Sequence, residues 1–242
     1  MSPHASLRPS IYPNDSVRLL IFLAVVALLF LAPDAIAHNV SREDAELIAG
    51  KTGWQFALYT WLGAKHMVTG YDHLLFLVGV VFYLQGFRSI ALYVSLFALG
   101  HTITLLGGVL AGLDVNPYLV DAIIGLSVAY KGFDNLKGFN TLFGDSPDER
   151  LAVFIFGLFH GLGLATKLQD LGLAQDGLIA NLVSFNLGVE LGQLAALAVI
   201  VLLLSLLPAR TRDSRFGTWV NIGLIIAGFA LMAYQIGLYV TA

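Results

Sequence analysis

Several long apolar runs, separated by short polar segments, dominate this chain of 242 residues. About 20 consecutive apolar residues suffice for a helix to cross the hydrocarbon core of a bilayer. A helix also satisfies every backbone hydrogen bond there without help from water. Only 12% of the residues are charged, against roughly a quarter in a soluble domain. These features predict an all-α fold, a polytopic membrane helix bundle.

The first 37 residues have the form of a cleavable signal peptide. Arg8 and Arg18 precede an apolar stretch from Leu19 to Ala32, and the small residues Ala35-Ile36-Ala37 follow it. The apolar stretch is shorter than the roughly 20 residues of a full span. We therefore expect a signal peptide over residues 1–37 and a mature chain that begins at His38. An uncleaved first helix is the alternative.

Residues 38–70 predict a periplasmic or interfacial segment. Acidic residues after Ser41 open a short helix. After Gly53, apolar residues recur at helical spacing along one face, and Trp54 and Trp61 lie on it. Tryptophan is typical of helices at a membrane interface. The segment is therefore expected to lie in the outer interface, or else to begin the first span.

Residues 71–242 predict a transmembrane domain of about six helices. The expected spans are Tyr71–Gln85, Ser89–Gly112, Tyr118–Lys137, Leu151–Lys167, Leu178–Leu207 and Gly217–Tyr239. Lysine and arginine concentrate on the cytoplasmic side of bacterial membranes. If the mature N-terminus lies outside, most lysines and arginines of the mature chain lie inside. The inner side then has Arg88, Lys131, Lys137, Arg150, Arg210, Arg212 and Arg215, and the outer side has Arg42, Lys51, Lys65 and Lys167. We expect an inner-membrane protein with both mature termini in the periplasm.

Ionisable residues inside the predicted spans are the candidate site. A charge at the centre of a span costs about 2.5–3.5 kcal/mol on insertion scales, so such residues usually mark a pathway or a reaction site. The expected depths bring Asp72, His73, His101, His160 and Glu190 to a similar layer in the outer half of the bilayer. His66 joins them if its helix continues into the first span. A single histidine here can also be an interhelical hydrogen-bond donor, but convergence favours a metal or proton site.

Four further residues are supporting candidates. Asn186 and Gln193 lie at helical spacing from Glu190 and therefore face the same way. Asp121 lies near the outer end of the third span, where a purely structural acid is the alternative. His38 would offer both its amine and its imidazole to a metal after signal cleavage.

The ligand types restrict the metal. Imidazole and carboxylate suit divalent nickel, zinc, cobalt, iron or copper, whereas copper(I) favours cysteine or methionine. The chain has no cysteine, so copper(I) is disfavoured. The net charge of −3 gives no basic surface for nucleic acid, which is excluded as a partner.

Four segments of the chain resemble the HupE/UreJ family of membrane proteins. They are HMVTGYDHLLF from His66 to Phe76, FALGHTITL from Phe97 to Leu105, FGLFHGLGLA from Phe156 to Ala165 and FNLGVELGQ from Phe185 to Gln193. The resemblance implies a nickel permease-like protein that serves nickel enzymes such as hydrogenase and urease. It implies metal-handling roles for His66, Asp72, His73, His101, His160 and Glu190.

Transport of a divalent transition metal, nickel by resemblance, is the function that the sequence favours. Membrane lipid and the metal ion are the expected partners, and a homo-oligomer is left open. Two alternatives use the same residues. One is a membrane-embedded metal-dependent hydrolase, since histidines with a carboxylate also form zinc hydrolytic sites. The other is an accessory metal-binding protein without transport of its own.

Overall fold

The computed structural model of the chain describes residues 42–84, 86–170, 174–206 and 215–242. These residues are all-helical and contain no strand, which confirms the predicted fold class. In chain order the described helices are α1 (Arg42–Ile48), α2 (Phe56–Thr69), α3 (Tyr71–Val81), α4 (Phe87–Ala111), α5 (Pro117–Asn135), α6 (Gly138–Phe143), α7 (Glu149–Asp170), α8 (Leu178–Leu206) and α9 (Arg215–Thr241). The predicted signal peptide and His38 lie outside this part of the chain.

Among the described helices, α4, α7, α8 and α9 are long and apolar enough to cross a membrane. Each occupies a predicted span to within a few residues. The fifth long helix, α5, contains three charged residues, Asp121, Lys131 and Asp134. The first predicted span corresponds to α3, which is short and ends at Val81. The count of six spans therefore stays a prediction.

The long helices pack in three pairs: α2 with α8, α4 with α7, and α5 with α9. Close approaches define their directions. Gly63 meets Phe185 and Gly192 meets Met67, so α2 and α8 run parallel. The backbone of Phe97 meets Gly157, and Gly108 meets Ala165, so α4 and α7 are parallel as well. By the same criterion α5 and α9 are antiparallel.

Glycines allow the backbones within these pairs to touch. A Cβ at Gly161 of α7 would collide with the carbonyl of His101 and the hydroxyl of Thr104 on α4. A Cβ at Gly188 of α8 would collide with the Thr60 carbonyl of α2. Because only small residues permit this approach, the glycines bring His101 and His160 onto neighbouring backbones.

Helix α2 packs lengthwise against the first half of α8 and then stops. The Trp54 indole donates to Ser184 at 3.0 Å, and the Gln55 N–H donates to the Asn181 side chain at 2.8 Å. Gly70 has an extended backbone (φ −75°, ψ 104°) that interrupts the helix before α3 begins. The placement of residues 38–70 relative to the membrane stays a prediction.

Candidate metal centre

The break at Gly70 presents two candidate residues at the start of α3. Asp72 and His73 lie in the first turn of this helix and are both buried. The Asp72 carboxylate accepts from the backbone N–H of His73 at 2.6 Å and contacts His73 Nδ1 at 2.7 Å. The carboxylate therefore holds the imidazole in one orientation.

A third buried group reaches the same point from α7. The rings of His160 and His73 lie 4.7 Å apart between centroids, at nearly right angles. Asp72, His73 and His160 each offer one ligand atom, and these atoms all lie within 4.8 Å of one another. Metal–nitrogen and metal–oxygen bonds are about 2.0–2.2 Å long, so ligands of one ion lie at most about 4.4 Å apart, and the group is close to the spacing that a single nickel or zinc ion requires.

Hydrogen bonds determine which nitrogen of each histidine can bind metal. A carboxylate only accepts, so His73 donates Nδ1–H to Asp72 and keeps the lone pair on Nε2. The Ser127 hydroxyl donates its proton to the Ile124 carbonyl at 2.7 Å. Its oxygen can then accept from His160 Nε2, at 3.4 Å, which leaves the lone pair of His160 on Nδ1. Such partners fix the tautomer and raise the basicity of metal-binding histidines.

Two more predicted histidines flank this group. The ring of His66, at the end of α2, lies 5.1 Å from that of His73, and the ring of His101, on α4, lies 6.4 Å from it. His101 is buried and lies beside Asn186. Its Nε2 has no hydrogen-bond partner within the described ranges. Histidines from four helices thus gather around the start of α3.

A layer of aromatic rings lies beside the histidines. Phe97 is 4.9 Å from His160 and Phe76 is 5.6 Å from it, between ring centroids. Phe76 and Phe97 contact each other at 5.3 Å, and Phe156 packs against Phe76 at 5.8 Å. Phe76 lies one turn after His73, so the layer covers the group with apolar rings on the side towards the end of α3.

The structure places Glu190 differently from the histidines. Its side chain is exposed on α8 and accepts from Asn186 Nδ2 at 3.2 Å. Asn186 also accepts from the Thr102 hydroxyl at 3.0 Å and contacts His101. Glu190 therefore connects to the histidine group through Asn186. Gln193, one turn further, is buried, and its Nε2 has no partner among the described side chains.

Asp121 is engaged elsewhere. Both of its carboxylate oxygens accept from Lys167 Nζ, at 2.7 and 3.0 Å, in a buried ion pair between α5 and α7. The ion pair gives Asp121 a partner outside the histidine group. The predicted site residue His38 precedes the described part of the chain.

Sequence reasoning missed Ser127 and the aromatic layer. A serine inside a span carries no distinctive pattern, since its hydroxyl can bond to its own helix backbone. The phenylalanines were indistinguishable from lipid-facing residues. Lys167 had a usable signal, because an acid and a lysine at matching depths of two predicted spans predict an ion pair.

Comparison with known proteins gives one match. The family described as HupE / UreJ protein matches residues 42–242. No curated protein and no solved structure matches.

Proposed function

The chain belongs to the HupE/UreJ family, and we propose that it carries a divalent transition metal ion across the inner membrane, with nickel as the expected substrate. The family is associated with nickel and cobalt transport. The observation that carries the proposal is the buried group of Asp72, His73 and His160, whose ligand atoms lie within 4.8 Å of one another.

The ligand set suits a transported ion. Two neutral imidazoles and a carboxylate bind nickel and cobalt without the thiolates that hold softer metals. His66 and His101 both lie next to His73, and in this proposal they offer the positions from which the ion arrives and to which it moves. In this proposal Glu190 acts through Asn186 on His101.

The direction of transport follows from the expected orientation. With a cleaved signal peptide and the excess of lysine and arginine inside, both mature termini lie in the periplasm. Helices α2 and α3 then descend together as one interrupted span, and the metal group lies at the interruption. The ion reaches it from the periplasmic side.

One observation favours a second candidate, a metal-dependent hydrolase. The layer of Phe76, Phe97 and Phe156 closes one side of the group, as suits a resident metal in a sealed site. A hydrolase would hold its ion tightly and turn over a lipid or a peptide, whereas a transporter binds its ion reversibly.

Nickel flux into proteoliposomes separates the two candidates. We expect the wild type to accumulate radiolabelled nickel and His73→Ala to accumulate none. Affinity should fall in acid, because protonated imidazole cannot bind metal. A wild type that moves no nickel, cobalt or zinc, yet copurifies with stoichiometric tightly bound metal, would overturn transport in favour of the hydrolase.

A further inference from the structure

Helices α5 and α7 meet along one antiparallel seam with three polar levels. At one end Asp121 pairs with Lys167 at 2.7 Å. In the middle Ser127 contacts His160 at 3.4 Å. At the other end Lys131 Nζ, on α5, lies 2.8 Å from Asp134 and 3.1 Å from Glu149 of α7. The metal group therefore lies between two buried ammonium groups. We refer to these three levels together as the α5–α7 seam.

Both ammonium groups are well buried, with Lys131 4% and Lys167 8% exposed. A buried ion pair is often no more stabilising than well-packed apolar residues of similar volume. Lysine is also among the costliest residues inside a membrane. Stability alone therefore does not explain two such pairs on a single helix interface.

The Lys131 end has the most extensive network. The Tyr93 hydroxyl donates to the second carboxylate oxygen of Glu149 at 2.9 Å. The stem of Lys131 crosses Gly79 of α3, where an added Cβ would lie 3.1 Å from Lys131 Cγ. The glycine thus leaves room for the lysine between α3 and α5. The Glu149 side chain is 42% exposed, so the ammonium group lies one residue away from solvent.

The two ammonium groups lie close to the metal group along the helix axes. Lys131 is four residues from Ser127, which is about 6 Å at 1.5 Å per residue. Asp121, whose carboxylate binds the Lys167 ammonium group, is six residues from Ser127 in the other direction, which is about 9 Å. At this range each ammonium group occupies the carboxylate oxygens that a divalent cation would otherwise contact on its way to or from the metal group.

We propose that Lys131 and Lys167 are tethered cations that close the two ends of the path through the metal centre. A divalent ion passes either end by taking the place of the lysine on its carboxylates: Asp121 at one end, Asp134 and Glu149 at the other. At the Lys131 end two carboxylates hold one ammonium, a net charge of −1. A divalent ion in its place brings the charge to zero while the lysine turns to solvent. The inference rests on the proposed function.

Side-specific access to the middle of the seam tests the proposal. The chain has no native cysteine, so Ser127→Cys provides one buried reporter beside His160. Exposed markers identify the two vesicle faces independently. Asn140→Cys marks the Lys131 end, where Asn140 contacts Ser146 beside Asp134. Asp114→Cys marks the Lys167 end, where the neighbouring Leu113 carbonyl accepts from Gln169.

We expect Lys131→Met to accelerate modification of the reporter by a membrane-impermeant cationic thiol reagent about tenfold or more, only from the Lys131 face. Lys167→Met should do the same only from the opposite face. Lys65→Met removes a lysine from a third ion pair, with Asp44 at 2.8 Å, outside the seam. This control should change neither rate.

A structural role would give a different result. If the substitutions only loosened the packing, the labelling rates from the two membrane faces would rise together or not at all. Either result, found in both lysine variants, overturns the proposal. If Lys131→Met does not accumulate, the double variant Lys131→Met/Asp134→Asn removes the unpaired acid as well and should show the same one-sided access.

Nickel flux by the wild type is measured separately. If the wild type transports nickel but the lysine variants show no one-sided labelling, the proposed role of Lys131 and Lys167 is wrong and transport still holds. If the variants show one-sided labelling but the wild type transports no nickel, transport is wrong and the role of the two lysines in closing the path still holds.

Discussion

At the scale of single residues, the candidate metal centre is organised by hydrogen bonds as much as by the candidate ligands. Asp72 directs Nδ1 of His73, and Ser127 directs Nε2 of His160. Each contact leaves the opposite ring nitrogen with its lone pair. These contacts set the ring tautomers before metal binding, and the Asp72 carboxylate offsets part of the charge of an ion in a buried site.

The substitution Asp72→Asn tests this orientation. The side-chain amide would retain an oxygen acceptor for His73 but lose the negative charge. We expect nickel affinity to fall about 10–100-fold, as is usual when a carboxylate partner of a metal-binding histidine is removed, as measured by calorimetry in detergent. Asp44→Asn, a buried acid on α1 that pairs with Lys65, is the matched control and should bind nickel as the wild type does. Equal affinities in both variants would contradict the assignment.

The histidines should differ in importance. His160 belongs to the tight group with Asp72 and His73, whereas His101 lies further from His73, at 6.4 Å between ring centroids. We therefore expect His160→Ala to weaken nickel binding more than His101→Ala does. His101→Ala should instead reduce flux more than affinity, since in the proposed transport His101 receives the ion from the group. A larger loss of nickel affinity in His101→Ala than in His160→Ala would contradict this ranking of the two histidines.

At the scale of helices, backbone contact between α4 and α7 fixes the separation of their histidines. The Thr104 hydroxyl donates to the Leu158 carbonyl at 2.6 Å, which ties a side chain of α4 to the backbone of α7. Gly100 and Gly157 meet the opposing backbone nearby. The distance between His101 and His160 therefore depends on residues without side chains.

Gly161→Ala should separate the two helices. The added methyl group meets the His101 carbonyl and the Thr104 hydroxyl, so we expect a loss of about 1–3 kcal/mol in the free energy of unfolding and weaker nickel binding. Thermal unfolding in detergent measures the first effect. Gly107→Ala is the control, because a Cβ there meets nothing within 4 Å. Alanine at an open helix position should raise stability slightly, by about 0.5–1 kcal/mol.

At the scale of the whole molecule, three helix pairs enclose the metal group. Parallel packing in the α2–α8 and α4–α7 pairs joins helices that are distant in the chain. These two pairs contribute to the layer of candidate ligands: α2 brings His66, α4 brings His101 and α7 brings His160. The short α3 lies against α5 and delivers Asp72 and His73 between the pairs.

The orientation of the bundle is open to a labelling experiment. Because the chain has no native cysteine, single cysteines at exposed positions report which side they face. We expect Asp114→Cys to react with an impermeant reagent applied to intact spheroplasts, and Asn140→Cys to react only after lysis. The reverse pattern would place the termini in the cytoplasm, and the charge distribution would then have been misread.

The sequence by itself determined the class of the protein, the approximate helices and most of the candidate ligands. Low charge and long apolar runs admit only a membrane helix bundle, and a histidine inside a span is costly enough to predict a function. The sequence did not determine which of these residues meet, because contacts between helices distant in the chain depend on packing. Only the tertiary structure placed Glu190 on the surface of α8 and paired Asp121 with Lys167. Only the packed helices brought Ser127 and three phenylalanines against the histidines. A serine or a phenylalanine in a span carries no sequence signal that tells whether it faces lipid or the candidate site.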